Sequence, residues 1–240
     1  MQSFQPNPNK SLYNVIFAAK NAKSLGAKKV ILVAPYLGFM RQDKRFKAGE
    51  AISSKIMADL LNNTIDKLIT IDPHIHRYKS LKDIFKISAK YITANPLLAD
   101  YVKKHIKNPL IIGPDWESYQ WALSVAKNVN CDATCFKKHR FSSFKVKVEM
   151  VKQVEIKGKN VVIVDDIIST GKTIIGAAKI AKRLGAKSIT AIGVHGLFAG
   201  NALENLKKHK IKVVSTNTIL SKKSKIDVTS LIKKQINKKK

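Results

Sequence analysis

Residues 161–173 read VVIVDDIISTGKT. Four β-branched apolar residues run into two adjacent carboxylates, Asp165 and Asp166, and then into a Ser-Thr-Gly-Lys-Thr turn. The apolar-periodic run 174–184 follows, so the order predicts a buried parallel strand, a tight turn and a helix. Ligands of open α/β sheets lie just beyond the carboxyl ends of the strands. Backbone N–H groups of such a turn, at a helix N-terminus, make a site for a phosphate. Two carboxylates cannot bind that phosphate, and leaving them unused at a strand end is costly. They suit the hydroxyls of a sugar, directly or through Mg²⁺. The implied ligand is a pentose phosphate. Gly171-Lys172-Thr173 is not the end of an ATP P-loop, because that motif needs a glycine where Asp166 stands.

Composition frames the elements that must position this stretch. A chain of 240 residues, 45% of them hydrophobic, can bury a substantial core. The formal charge of +29 points to anionic partners. The lysines are scattered, no segment interleaves aromatics with basic residues, and no nucleic-acid-binding motif appears. Phosphorylated small molecules are therefore the expected partners, and nucleic acid is not. Cys131 and Cys135 lack the second ligand pair of a zinc site and read as core thiols on one face of a strand. The longest apolar run, 30–40, is too short to span a bilayer and contains Pro35. The N-terminus has no apolar signal core, so a cytoplasmic protein with no membrane partner is expected.

Strand and helix signals alternate throughout, which predicts an α/β fold with mainly parallel sheets. Helices are expected at 9–25, 51–61, 96–106, 116–128, 174–184 and 201–209. Strands are expected at 29–34, 65–71, 89–93, 109–113, 131–137, 161–164, 188–194 and 212–216. A polar loop is expected at 138–143. The division reads as one unit over 1–94, a second over 95–220, and a basic tail with one docked helix over 221–240.

Three segments together carry a resemblance. Residues 35–50 read PYLGFMRQDKRFKAGE, residues 72–77 read DPHIHR, and the third is VVIVDDIISTGKT. In this order they resemble ribose-phosphate pyrophosphokinase, over nearly the whole chain. The Arg-Gln-Asp loop with its downstream Gly-Glu is specific to that family. The Asp-Asp-Ile-Ile-x-Thr-Gly stretch is shared with phosphoribosyltransferases at large. The resemblance implies two phosphoribosyltransferase-like domains, the first incomplete, and transfer of pyrophosphate from ATP to the 1-hydroxyl of ribose 5-phosphate. It implies Mg²⁺ as cofactor and a homo-oligomer, at least a dimer.

By the same resemblance, Arg41, Gln42 and Asp43 fall on positions that hold ATP. Arg forks onto phosphate oxygens, and Gln reaches the adenine or ribose. His74 matches a histidine near the ATP phosphates and the metal, with Asp72 placed to orient it. His76 and Arg77 are read as surface residues. Lys138 and Arg140 fall on the basic pair of a catalytic loop that meets charge developing at the transferred phosphorus. Asp115 falls on a metal or ribose ligand, although Trp116-Glu117-Ser118 departs from the small, glycine-rich loop usual there. Asp165 and Asp166 take the sugar hydroxyls. Ser169, Thr170, Gly171, Lys172 and Thr173 cradle the 5-phosphate, with Lys172 where a small residue is usual.

Two other readings remain. One is a catalytically inactive regulatory subunit on the same fold, the other a basic nucleic-acid-binding regulator on a phosphoribosyltransferase fold. Neither needs Arg41, Lys138 and Arg140 together. The family's opening segment includes a Phe-Pro-Asp-Gly-Glu loop that contributes to a neighbouring subunit's ATP site, and residues 1–30 do not resemble it. The 240-residue chain is accordingly expected to bind ATP weakly and to turn over little, because phosphoryl transfer depends on positioning. Assaying it beside a form extended upstream checks this; equal activity in both would refute it.

Overall fold

The computed structural model describes residues 1–140 and 146–237, with the side chains of 138–140 and 146–148 left aside. It divides into two compact units, Met1–Thr93 and Ala94–Lys240.

The first unit is built on three parallel strands, β1 (Ile31–Ala34), β2 (Lys67–Ile71) and β3 (Ser88–Ile92), in the order β1-β2-β3. The last four residues of β2 are all buried, the mark of a parallel strand covered on both faces. Helix α1 (Pro8–Ser24) starts where the Asn7 side chain accepts the Lys10 N–H at 3.0 Å and where Pro8 needs no N–H partner. Helix α2 (Ser53–Asn62) buries Ser54, Met57, Ala58 and Leu61, an i, i+3, i+4, i+7 stripe. Alongside β1, the N–H groups of Gln2 and Phe4 donate to Val33 and Tyr36 carbonyls at 2.9 and 3.0 Å, and Phe4 is fully buried.

The second unit holds a seven-stranded sheet. Its strands are β4 (Pro109–Gly113), β5 (Ala133–Arg140), β6 (Val146–Met150), β7 (Asn160–Ile168), β8 (Ser188–Gly196), β9 (Lys212–Thr216) and β10 (Ser224–Ile226). Their order is β10-β9-β8-β7-β4-β5-β6, parallel except for the β5–β6 pair. Helices α3 (Asn95–His105), α4 (Tyr119–Val129), α5 (Lys172–Arg183), α6 (Ala202–Lys208) and α7 (Thr229–Ile236) complete it. Leu110, Ile112 and Ile163 pack with Ile174, Ala177, Ala181 and Leu206 in one apolar cluster, so α5 and α6 are held against the central strands.

The α/β class and the mainly parallel sheets are as the alternation predicts, and four differences have physical causes. Helix α4 begins at Tyr119, not at 116, because residues 115–118 form a hydrogen-bonded turn of their own. Residues 138–140 are not loop: β5 continues through Arg140 and pairs antiparallel with β6 as a hairpin. The polar side chains there concealed the strand. Strand β7 does not stop before the two acids but runs on to Ile168, pairing Asp165 with Gly193 and Ile167 with His195. Cys131 lies before β5 and is half-buried, whereas Cys135 is buried within it.

That extended pairing rests on a glycine. A Cβ at Gly193 would stand 2.5 Å from Cγ1 of Ile168, a contact real side chains do not make. Ile168 is itself fully buried and stiff at χ1. Gly193→Ala should therefore destabilise the protein by about 1–3 kcal/mol through overpacking. An unchanged urea midpoint would show that Ile168 can step aside.

Candidate functional site

In the second unit the chain turns sharply after β7. Ser169 is half-buried, Thr170 is exposed, and Gly171 takes the left-handed region at φ 74°. A side chain at Gly171 would press on Leu206 at 3.2 Å, so glycine is needed for both conformation and space. Helix α5 begins at Lys172, and no side chain caps it. Its first N–H groups have no intrahelical acceptor, and the helix dipole adds about half a positive charge there. Lys172 and Thr173 are exposed at this end. The loop after β8 braces the turn: Leu197 and Phe198 N–H groups both reach the Ile168 carbonyl at 3.0 Å, and Ala199 reaches Ser169 at 3.2 Å. The result is a fixed concavity of backbone donors suited to an anion.

Directly before it stand the acids. Asp166 is buried and Asp165 partly so, with an Asp165 carboxylate oxygen accepting the Asp166 N–H at 3.1 Å. Burial pushes the Asp165 carboxyl well above the usual range, and the nearby Asp166 and Asp115 charges push it further. Asp115 leaves the end of β4, where a Cβ at Gly113 would lie 3.1 Å from the Tyr119 backbone. The Ser118 N–H donates to Asp115 Oδ1 at 3.0 Å, and the Ser118 hydroxyl lies 2.9 Å from the same oxygen. Asp115 is thus held in a rigid turn close enough to influence both Asp165 and Cys135. Burial and then Asp115 push the Cys135 thiol up to about 11, which keeps it a neutral core group. The carboxylates of Asp165, Asp166 and Asp115 feel one another at this sheet edge and offer acceptors suited to sugar hydroxyls. Lys138 and Arg140 are among the last residues of strand β5, and their side chains lie outside the described residues.

The first unit brings the remaining residues into two linked loops. Asp43 is not an exposed ligand: its carboxylate is fully buried, and Arg77 Nη1 donates to both of its oxygens at 3.0 and 3.1 Å. Arg77, read from sequence as a free surface residue, is its partner. Gln42 is half-buried, accepting the Ser53 hydroxyl at 2.6 Å, and its carbonyl meets Ser54 N–H at 3.2 Å. The Tyr78 hydroxyl lies 2.9 Å from Ser54 Oγ. These contacts tie 42–43 to α2 and to the 72–78 loop, while Arg41 alone of the three stays exposed. His74 packs edge-on against His76 with ring centroids 4.1 Å apart, so His76 is not an isolated surface residue either. Asp72, at φ 31°, is buried at the end of β2. His74 belongs to the first unit and Asp115 to the second. Reading the sequence missed Arg77, Ser118 and His76. The Asp-x-x-Ser spacing of an Asx turn was a usable signal for Ser118; nothing local marked Arg77.

Comparison with known proteins shows the family and the fold. Residues 1–64 match the N-terminal domain of ribose phosphate pyrophosphokinase, and residues 80–233 match the phosphoribosyl transferase domain. The chain is 37% identical over 214 residues to the ribose-phosphate pyrophosphokinase of Saccharolobus solfataricus, covering 88% of this chain and 72% of that protein. It is 37% identical over 234 residues to that of Pyrococcus abyssi, covering 98% and 81%. The crystal structure of phosphoribosylpyrophosphate synthetase from Mycobacterium smegmatis superposes with a TM-score of 0.83 at 24% identity, covering 96% of this chain and 78% of that one, and so shares its fold.

The raised affinity of Asp165 for its proton has a thermodynamic consequence. A carboxyl whose folded pKa lies above its unfolded value stabilises the fold below the unfolded pKa, and that stability is lost as pH rises through the folded pKa. At neutral pH without ligand, Asp165 therefore works against folding. Asp165→Asn should raise the ligand-free melting temperature at pH 7.5 by about 2–4 °C, the shift expected for roughly 1 kcal/mol. The mutant should also lose less stability than wild type as pH rises above the ordinary carboxylate range. A lowered melting temperature in scanning calorimetry would show that the carboxylate is held by an attractive contact instead.

Proposed function

We infer the reaction from kinship: the chain belongs to the ribose-phosphate pyrophosphokinase family. It transfers the pyrophosphoryl group of ATP to the 1-hydroxyl of ribose 5-phosphate, giving 5-phosphoribosyl pyrophosphate and AMP. The observation that carries this reading to particular residues is the acidic pair on β7 set directly before an uncapped helix N-terminus. Donors for a phosphate and acceptors for sugar hydroxyls lie a few residues apart, as ribose 5-phosphate requires.

The backbone of 169–173, with the Ser169, Thr170 and Thr173 hydroxyls and the Lys172 ammonium, holds the 5-phosphate. Asp165 and Asp166 accept from the 2- and 3-hydroxyls, which fixes the ring and presents the 1-hydroxyl. Asp115 and His74 are the residues assigned to Mg²⁺, which when bound would supply positive charge against the polyphosphate. Arg41, exposed and anchored by its neighbours, meets the ATP phosphates. Gln42 takes part in holding the nucleotide, and Asp43 acts by holding the loop through Arg77. His74, with His76 against it, is the first unit's candidate for the phosphate or metal side. In the transfer step the 1-hydroxyl oxygen bonds to the β-phosphorus, the bond from that phosphorus to the α-phosphate oxygen breaks, AMP leaves, and the hydroxyl proton is released. Lys138 and Arg140 are assigned to the negative charge that builds on the non-bridging oxygens. A homo-oligomer working without a membrane completes the reading; among the described residues no helix is long and apolar enough to cross one.

Lys138 provides the test. A cation that acts only on developing charge belongs in the barrier and not in ground-state affinity. Lys138→Ala should lower kcat by about 10²–10³ with KM for ATP changed only a few-fold. AMP release from a form extended upstream, with phosphoribosyl pyrophosphate measured in parallel, reads this out. Loss of ATP affinity at unchanged kcat would move Lys138 from catalysis to binding. Absence of both products in a form extended upstream, under conditions where ribose 5-phosphate binds, would remove the activity itself.

A further inference from the structure

The parallel strands of the second unit have a second edge, the one away from the acids. There the first residues of β7 and β8 (Asn160 and Ser188), the first residue of β9 (Lys212) and the end of α3 (His105) surround a cavity of about 480 Å³. That volume falls within the range of small-molecule sites. Its lining includes His105, Lys107, Lys182, Lys187, Lys210 and Lys212, and not one carboxylate. Lys182 is engaged, its ammonium donating to the His209 carbonyl. No described carboxylate pairs with the ammonium groups of Lys107, Lys187, Lys210 or Lys212.

Lysines near helix ends often serve only to offset the helix dipole. Magnitude decides against that here. The ends of α3 and α5 supply together about one unit of negative charge. Four ammonium groups without a described carboxylate exceed it, on residues that line one concave surface where their repulsion is relieved by a bound anion. The chemistry of the rest of the lining selects the anion. No Phe, Tyr or Trp lines the cavity, and the one ring there, His105, is already packed against Tyr101 with centroids 4.4 Å apart, so no free aromatic platform is offered to a base. The one carboxamide, Asn160, is already committed: Nδ2 donates to the Lys107 carbonyl at 2.6 Å and Oδ1 accepts the Ser188 hydroxyl at 2.6 Å. Nothing reads a base or a sugar; what remains reads charge. Lysines, unlike arginines, act as mobile point charges without a fixed fork, which suits a flexible chain of phosphates.

We propose that this basic cavity is a binding site for a short unsubstituted phosphate chain, separate from the sugar-phosphate cradle at the other end of the strands. Four ammonium contacts, each worth a fraction of a kcal/mol at this exposure, together amount to about tenfold in affinity. The experiment titrates tripolyphosphate into the whole 240-residue chain by calorimetry at 0.15 M salt, where diffuse surface attraction is screened beyond about 8 Å. Wild type is compared with Lys107→Gln/Lys187→Gln/Lys210→Gln/Lys212→Gln and with a charge-matched control, Lys222→Gln/Lys225→Gln/Lys233→Gln/Lys234→Gln. All eight lysines are exposed, so both variants keep the core, and both keep the cradle. The cavity variant should bind about tenfold more weakly and the control within twofold of wild type. Equal weakening in both would reduce the site to the general charge of the protein. Tighter, cavity-dependent binding of a single-stranded RNA of similar charge would overturn the ligand class in favour of nucleic acid.

Discussion

Two adjacent carboxylates embedded in the middle of a sheet are the constraint around which the second unit is organised. Strand β7 lies between β8 and β4, parallel to both, and its core residues 161–164 are buried. Continuing that strand through Asp165 and Asp166 places like charges where water is scarce, and no cation stands among the described influences on Asp165. The backbone can carry them because the neighbouring strand presents Gly193 opposite Asp165, and because the turn that follows is braced by the 197–199 loop. Asp115, clamped by Ser118, adds a third negative group at the same edge. A site assembled this way is destabilised when empty and relieved by a cation or a polyhydroxyl ligand, the usual relation between a functional site and the stability of its fold.

Much of this was legible before any coordinates. Strands β4 and β9 lie at the residues their apolar runs indicate, and α3 and α6 begin and end within one residue of expectation. Patterns fail where polar side chains sit on regular backbone. Lys138–His139–Arg140 reads as loop yet forms the end of a hairpin strand, since an antiparallel ribbon can face solvent without an apolar alternation. The acids hide the last residues of β7 for the same reason. Strand β10 has three residues and a shifted register, too little for any periodicity to report. The start of α4 is lost because Asp115 and Ser118 satisfy each other locally before the helix begins, a competition between turn and helix that propensity does not resolve.

The first unit shows a limit of another kind. In sequence, Arg41, Gln42 and Asp43 look like three equivalent polar groups. In the fold they divide: Arg41 is exposed, Gln42 bonds Ser53, and Asp43 is withdrawn into the protein beneath Arg77. Burying a carboxylate is costly unless it is paired and hydrogen-bonded. Arg77 meets that cost with two contacts on a side chain still 37% exposed. The pair closes the 41–43 loop onto the 72–78 loop, so the exposed guanidinium of Arg41 is displayed from a fixed base. Residue type announces polar chemistry; only burial separates the group that meets a ligand from the one that holds the loop.

The charge of the whole chain acquires a sense from the same distinction. A net +29 raises the local concentration of phosphorylated molecules around every face, because many exposed lysines contribute to one long-range field. Such a field cannot tell a sugar phosphate from any other anion. Within the second unit discrimination comes from short-range groups of the opposite sign: carboxylates on β7 and β4 reject a bare anion unless it brings hydroxyls or a cation with it. The cavity at the far ends of the same strands is lined by lysines and by no carboxylate, and the five residues of strand from Asn160 to Asp165 set the two surfaces roughly 17 Å apart. At that distance, about two Debye lengths at physiological salt, the charge at one surface is largely screened from the other. One sheet can therefore present two chemically distinct anion-facing surfaces, selective where acids are buried and permissive where they are absent.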